Sequence, residues 1–423
     1  MGSGAGADCD ANMTRLGTRG TVLVLGTAQT LAWASSFYLP AVLAVPMARE
    51  LGLAVSSVFG AFSLALAVAG FVAPAAGRII DRAGGRGLLM LGNGLFALGL
   101  VALGTSSGPW TLSLAWLLIG VAMGGGLYDA AFAVLVRLYG SASRDPITGI
   151  TLLAGFASTV GWPLTAWMSE AWGWRGACFG WAALHLSLGL PLHLLLPRAA
   201  TRGPAQAQAQ APAPTPSVAA TSHQADAAVR TGWLTMALLA FVIAATRFVA
   251  TAMGSHLPGL LMALGGSMTA AVAAGTLVGP AQVGGRVLEF GLLRRVHPLL
   301  SARLATLGHP LGGLALLAFG MPAAVPFALL HGAGNGIMTI ANGTLPLAVF
   351  GSQGYGARQG WLSLPSLVLQ SFAPWLFGLV LARSVSAALL LSASLCMAAF
   401  AALLALRMPV RSSVHASAAG PRS

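Results

Sequence analysis

Two charged side chains stand alone inside long apolar runs, and they are the residues best placed to do chemistry. Asp129 lies in the stretch MGGGLYDAAF (123–132), and no other residue between Gly87 and Val136 carries a formal charge. Arg247 lies in FVIAATRFVATAM (241–253), isolated in the same way. A carboxylate and a guanidinium in such surroundings can pair with each other. Separately, the acid can carry a proton and the guanidinium can hold an anion. At a bilayer centre either residue costs about 2.5–3.5 kcal/mol on insertion scales, so it faces a wet cavity or a partner. The alternatives are a static structural pair or an acid buried neutral.

Other chemistry is poorly represented. Three cysteines, Cys9, Cys178 and Cys396, are odd in number and scattered, with neither metal-ligand nor redox spacing. The histidines are dispersed, there is no HExxH, and no two acids share an apolar run, so a membrane-embedded enzyme lacks its converging groups. No metal, no cofactor and no enzymatic activity are expected.

The elements that must position Asp129 and Arg247 follow from composition. Of the 423 residues 57% are hydrophobic and only 7% charged, too few for the surface of a soluble chain this long. Twelve runs approach or exceed the roughly 20 residues needed to cross a bilayer. They fall near 20–46, 55–77, 87–105, 110–137, 146–169, 174–197, 232–263, 267–290, 297–319, 323–347, 360–383 and 385–406. The first is too long for a signal-peptide core and reads as a retained span. The fold class is therefore an all-α membrane protein of twelve spans.

The net charge of +13 resides entirely in arginine, since the 22 basic residues include no lysine. These lie between the spans rather than in one patch, which argues against a nucleic-acid partner. With both termini cytoplasmic, eighteen arginines fall inside, among them Arg78, Arg82, Arg86, Arg144 and Arg286. Arg49, Arg175 and Arg383 fall outside, and Arg247 lies within a span. That asymmetry sets the orientation.

The stretch between spans six and seven is rich in Pro, Ala and Gln and is expected to be a disordered cytoplasmic linker, 198–231. It separates a six-helix bundle at 20–197 from another at 232–406, with tails at 1–19 and 407–423. The halves echo each other. YGS at 139–141 returns as FGS at 350–352, and Pro163 returns as Pro374. Gly124 and Gly126 return as Gly334 and Gly336, and APAAGR returns as GPAQVGGR. Matches in one order indicate duplicated, pseudo-symmetric halves.

In GRIIDRAGGRG (77–87), Gly77, Asp81, Arg82, Gly84 and Arg86 resemble the loop between helices 2 and 3 of the major facilitator superfamily, with Gly85 replacing one basic residue. GWR at 173–175 is also similar to that superfamily, as are the 6+6 division and the central linker. The residues have a physical reading of their own. Gly77 and Gly84 relieve crowding at a tight turn, Arg78, Arg82 and Arg86 anchor it inside, and Asp81 suits a helix N-terminus. The resemblance implies that Asp81 docks near the start of helix 11, around Gly360–Trp361, when the cytoplasmic side is shut. Arg286 and Glu289, in the second-half counterpart, are spaced to pair with each other within one helix.

The resemblance also implies that helices 1, 4, 7 and 10 line a central cavity. Asp129 and Arg247 fall on two of these. Polar candidates on the same helices are Gln29, Trp33, Tyr38, Tyr128, His256, His331, Asn335 and Asn342; His185 and His193, on helix 6, fall off the lining. The repeat keeps glycines and prolines but neither charge, since Asp129 corresponds to Thr339 or Ile340. The charges thus read as functional additions. By helical rise Asp129 and Arg247 differ in depth by about 9 Å, near the limit of direct contact.

Drug-exporter features of the superfamily are missing: the first span has no acid, and the fourth has Trp116 ahead of Gly120 with no arginine before Arg137. The helix 5 glycine–proline pair is only partly present, as Gly155, Gly161 and Pro163. What the resemblance implies is a monomeric secondary transporter of a bacterial inner membrane. Its partners are a small solute, protons and the lipid bilayer. A monocarboxylate-like anion with proton coupling is the first expectation, and efflux of a toxic drug or metalloid is the alternative.

Overall fold

Inside a bilayer a backbone has no water to bond, so a helix that bonds to itself is the available solution for apolar runs of this length. The computed structural model describes residues 16–197 and 222–406, and its regular structure there is helical throughout. Most of the N-terminal tail, the C-terminal tail and most of the expected linker lie outside the described residues, and α1 begins within the expected tail, at Thr18. Among the described residues nine stretches are long and apolar enough to cross a membrane; one of them, Pro109–Leu195, runs for 87 residues and must fold back on itself.

The first half contains α1 (Thr18–Ser35), α2 (Leu39–Leu51), α3 (Val55–Ala83), α4 (Arg86–Gly104), α5 (Pro109–Gly126), α6 (Tyr128–Tyr139), α7 (Arg144–Ala154), α8 (Ala157–Leu184) and α9 (Leu190–Leu195). The second contains α10 (Ser222–Ala263), α11 (Met268–Thr276), α12 (Val278–Gly291), α13 (Pro298–Phe319), α14 (Ala324–Phe350), α15 (Tyr355–Leu381) and α16 (Val385–Ala405). Helix α10 begins earlier than the linker boundary expected at 231, and α15 starts at Tyr355 rather than near Gly360.

Several expected spans are broken helices with local causes. The chain leaves helix at Ser36, and Pro40, which has no N–H to give, sits in the first turn of α2, where none is needed. Helix α8 is interrupted at Gly173, whose φ of 72° suits a residue without a Cβ. The expected fourth span is cut at Leu127, where ψ swings to −167° directly after three glycines.

Small residues set the helix pairs. A Cβ on Gly120 or Gly124 of α5 would strike α3 at Ala65 and at Ala69 or Val72. Gly332 and Gly336 of α14 meet α12 at Val278 and Gln282 in the same manner. Such close approach is how membrane helices gain packing energy without a hydrophobic drive. The pairing revises the glycine correspondence: by packing partner, Gly120 and Gly124 match Gly332 and Gly336. Gly124 and Gly336 lie 212 residues apart, whereas the chain ends of the two helices, Tyr139 and Phe350, lie 211 apart. The first half therefore holds one more residue in this interval, the interval that contains the break at Leu127.

The halves meet mainly where α3 lies against α15. Gly77 touches the Gly356 carbonyl, and Gly360 touches Ala73 and Pro74. Buried apolar clusters fill each half, one built around Trp116, Phe96 and Trp181, another around Phe327 and Phe377. Outward-facing Leu23, Phe71, Leu91, Trp110, Leu311, Phe319 and Trp375 are exposed. In water they would form an adhesive belt; against lipid they are a solvated surface.

Candidate functional site

Asp129 and Arg247 meet. The break at Leu127 makes Tyr128 the first residue of α6 and puts Asp129 in its first turn, where free N–H groups and the helix dipole favour negative charge. The break is braced from α1: the fully buried Gln29 donates through Nε2 to the Gly126 carbonyl at 2.7 Å. From α10, Arg247 Nη2 donates to Asp129 Oδ1 at 3.2 Å and Oδ2 at 3.4 Å, with Nη1 3.4 Å from Ser366 Oγ. The two side chains are only 19% and 16% exposed. Coulomb attraction at this separation is about 5 kcal/mol for an effective dielectric near 20, before desolvation is subtracted.

The glycines therefore have two roles. Gly124 allows α5 to approach α3, and the GGG run ends the helix so that α6 can begin beside the acid. Helix α14 runs unbroken through the matching region, and it has no acid there.

Helix α15 completes the site. Gln359 Nε2 donates to Asp129 Oδ1 at 2.9 Å and to the Asn342 carbonyl at 3.3 Å. Ser366 gives its hydroxyl hydrogen to the Ser363 carbonyl at 2.8 Å. Gln359, Ser363, Ser366 and Gln370 are buried at spacings of four, three and four, one face of a helix. Sequence reasoning that looked only at the first, fourth, seventh and tenth spans passed over them. A polar stripe at helical period inside an apolar run was the available signal.

The remaining candidates divide. Trp33, Tyr38 and Tyr128 form an aromatic group with Phe37 and Phe132; Trp33 lies 4.8 Å from Tyr128 between ring centroids. Tyr38 meets Trp162 edge-on beside a hollow of about 550 Å³ lined by Ala41, Val42, Thr159, Trp162 and Pro163. His256 bonds the Pro374 carbonyl at 2.7 Å, joining α10 to α15. His331 turns away from the ion pair to face His309 on α13, Nδ1 to Nδ1, at 3.0 Å. Asn335 shares a small cavity with those two histidines inside the second half. Asn342 is buried, and its backbone carbonyl, not its side chain, receives Gln359.

His185 and His193 are far from idle. His185 contacts Ser35 at 2.7 Å and Asn93 at 2.8 Å, and Asn93 bonds His193, so one buried chain ties α1 and α4 to the segment around α9. The π-turn at His185–Gly189 brings both rings to Asn93.

At the arginine-rich end the halves are tied by polar bonds. Asp81 accepts from the backbone N–H groups of Gly356 at 2.9 Å and Ala357 at 2.8 Å, capping α15 from α3. The first turn of α15 has free N–H groups to offer, which is why the acid seats there. Gly77 makes the approach possible, while Gly84, with φ of 80°, ends α3. Arg78 and Arg82 are exposed, Arg86 is half-buried, and none of the three enters an ion pair among the described residues.

The expected pairing of Arg286 with Glu289 does not occur. Glu289 pairs instead with Arg144 of α7 at 2.8 Å, and Arg144 also bonds the carbonyls of Val296 and Leu293. Arg286 donates to the Thr151 carbonyl at 3.1 Å, in the room left by Gly155. Both residues face the other half, so partners across the interface displace the neighbour one turn away.

The comparisons agree with this architecture. A family model described as Major Facilitator Superfamily matches residues 25–354. An "Uncharacterized 38 kDa protein in 23S RNA operon" from Thermoproteus tenax is 34% identical over 158 residues, 36% of this chain and 40% of that one. The chain thus matches about two fifths of that relative's length. Among solved structures, the proton:xylose symporter XylE bound to 6-bromo-6-deoxy-D-glucose aligns with a TM-score of 0.71 at 13% identity, covering 92% of this chain and 95% of that one. The human organic anion transporter MFSD10 (TETRAN) aligns with a TM-score of 0.65 at 15% identity, covering 92% and 100%.

Proposed function

The chain belongs to the Major Facilitator Superfamily, a family of membrane transporters, and from that premise we propose that it moves a small monoanion together with a proton. In this reading twelve spans form two six-helix bundles, with both termini in the cytoplasm of a bacterial inner membrane. Arg247 holds the anion and Asp129 carries the proton. The observation that carries the proposal is the Arg247–Asp129 bond at 3.2 Å, because its partners come from opposite halves.

The coupling follows from charge. With Asp129 ionised, its carboxylate occupies the guanidinium, and the pair is neutral. An arriving monoanion competes with that carboxylate for the same N–H groups. Protonating Asp129 removes the competitor, and Arg247 with the anion is again neutral. The two mismatched states, anion without proton and proton without anion, each leave a net charge in a poorly solvated site, which is costly. Only matched states then reorient, giving one proton per monoanion.

Asp81, Arg144, Glu289 and Arg286 form the cytoplasmic closure in this reading, and the solute enters from the opposite side past Tyr38 and Trp162. Fold neighbours include a proton-coupled symporter and an organic anion transporter, so the same fold hosts both elements of the proposal. One observation favours a second reading, proton-coupled efflux of a toxic apolar molecule: the hollow beside Trp162 is lined largely by apolar groups.

The test is uptake of radiolabelled lactate into proteoliposomes under an inward proton gradient. Asp129→Asn is expected to abolish gradient-driven accumulation while lactate exchange persists, and Arg247→Ala is expected to abolish both. Wild-type accumulation by both variants defeats the proposal.

A further inference from the structure

Beside the ion pair, α15 presents oxygen atoms that have no hydrogen to accept. Gln359 is 1% exposed and donates through Nε2 to Asp129 Oδ1, a bond that persists in the anion-bound state with the proton of Asp129 on Oδ2. The amide oxygen, Oε1, is thereby left without a partner. One turn along, the fully buried Ser363 also has an unpartnered hydroxyl, and the side-chain oxygen of Asn342 is unpartnered too. Each such oxygen is destabilising while it stays buried and unpaired.

These atoms are not scattered. Gln359 bonds Asp129, Ser366 touches Arg247, and Ser363 lies between them on the same face of the helix. At a rise of 1.5 Å per residue, Ser363 and Ser366 are separated by about 4.5 Å along the axis. A ligand that reaches from the guanidinium to Ser363 needs only two to four carbon atoms, by the order of magnitude of that spacing.

A simple carboxylate cannot satisfy this arrangement. It brings acceptor oxygens, which suit Arg247 but offer nothing to Gln359 Oε1. A hydroxyl group next to the carboxylate supplies the missing hydrogen. We infer that the site selects a short hydroxycarboxylate, its carboxylate on Arg247 and its hydroxyl donating its single hydrogen to an unpartnered oxygen of α15, Ser363 Oγ. The inference rests on the anion reading above and adds to it the second recognition element.

The experiment is calorimetric binding of four sodium salts to the purified full-length protein: lactate against propionate, and glycolate against acetate. Each pair differs by one hydroxyl. One satisfied buried hydrogen bond is worth about tenfold in affinity, so each hydroxy acid should bind about ten times more tightly than its partner. In Ser363→Ala that ratio should fall several-fold towards one, a change that general loosening of the fold does not produce because it weakens both members of a pair.

Equal binding of the two members of each pair, with both abolished in Arg247→Ala, overturns the hydroxyl inference and leaves the anion reading standing; lone waters then fill the α15 oxygens. Absence of binding by all four acids, or binding untouched by Arg247→Ala, overturns the anion reading and this inference with it.

Discussion

Replacing Asp81 by alanine should open the arginine-rich end. Its carboxylate, on α3, accepts hydrogen bonds from Gly356 at 2.9 Å and Ala357 at 2.8 Å, both at the start of α15 in the other half. Removing a helix cap costs about 0.5–2 kcal/mol, and hydrogen bonds to a charged group contribute about 1.5–3 kcal/mol each. Asp81 is half-buried, so water replaces part of the loss when the ends separate. A net loss of about 2 kcal/mol from the closed form is a reasonable sum, and at 1.4 kcal/mol per decade it moves the closed-to-open ratio about thirtyfold. The assay is pulsed electron spin resonance between labels at Ala83 and Gln353, with the three native cysteines replaced by serine. The wild type should give one short distance, and Asp81→Ala should add a longer component, its ratio to the short one raised about thirtyfold over the wild type. Asp81→Asn keeps an acceptor oxygen without the charge and should fall between them. A distance distribution identical in Asp81→Ala and wild type would refute the assignment of this contact as the closure.

Two further substitutions probe other buried contacts. Arg144→Ala should lower thermal stability in detergent more than Glu289→Gln, because it leaves Glu289, 2% exposed, as an uncompensated buried charge, a loss of about 3–5 kcal/mol; equal or reversed shifts count against the pair. Gln29→Leu should strand the Gly126 carbonyl at the break before Asp129, destabilising by about 1–3 kcal/mol and weakening the pH dependence of lactate uptake; unaltered uptake at every pH shows that the brace does not position the acid.

The helical membrane class was legible from composition, because a nearly uncharged chain has one way to bury its backbone polar groups. The isolation of Asp129 and Arg247 marked them in the same way. Their contact was not legible from helical rise alone, since straight helices put them about 9 Å apart in depth and neither the break at Leu127 nor the reach of the arginine is visible in that count. The Arg286–Glu289 expectation failed for a related reason. Spacing along one helix is local information, whereas Arg144 and Thr151 are brought in by the other half. Gln359, Ser363 and Ser366 carry a readable helical period, but α15 is not one of the four spans expected to line a cavity. Asn93, His185 and His193 became a network only when the π-turn at His185–Gly189 aligned the rings, and nothing in that stretch of sequence announces such a turn.

Proton and anion should bind as one event at Asp129 and Arg247. Calorimetry of lactate binding in two buffers of different ionisation enthalpy counts the protons taken up per anion bound. At a pH where Asp129 is ionised before binding, the expected count is about one in the wild type and zero in Asp129→Asn. A count of zero in the wild type, or an unchanged count in Asp129→Asn, contradicts the coupling.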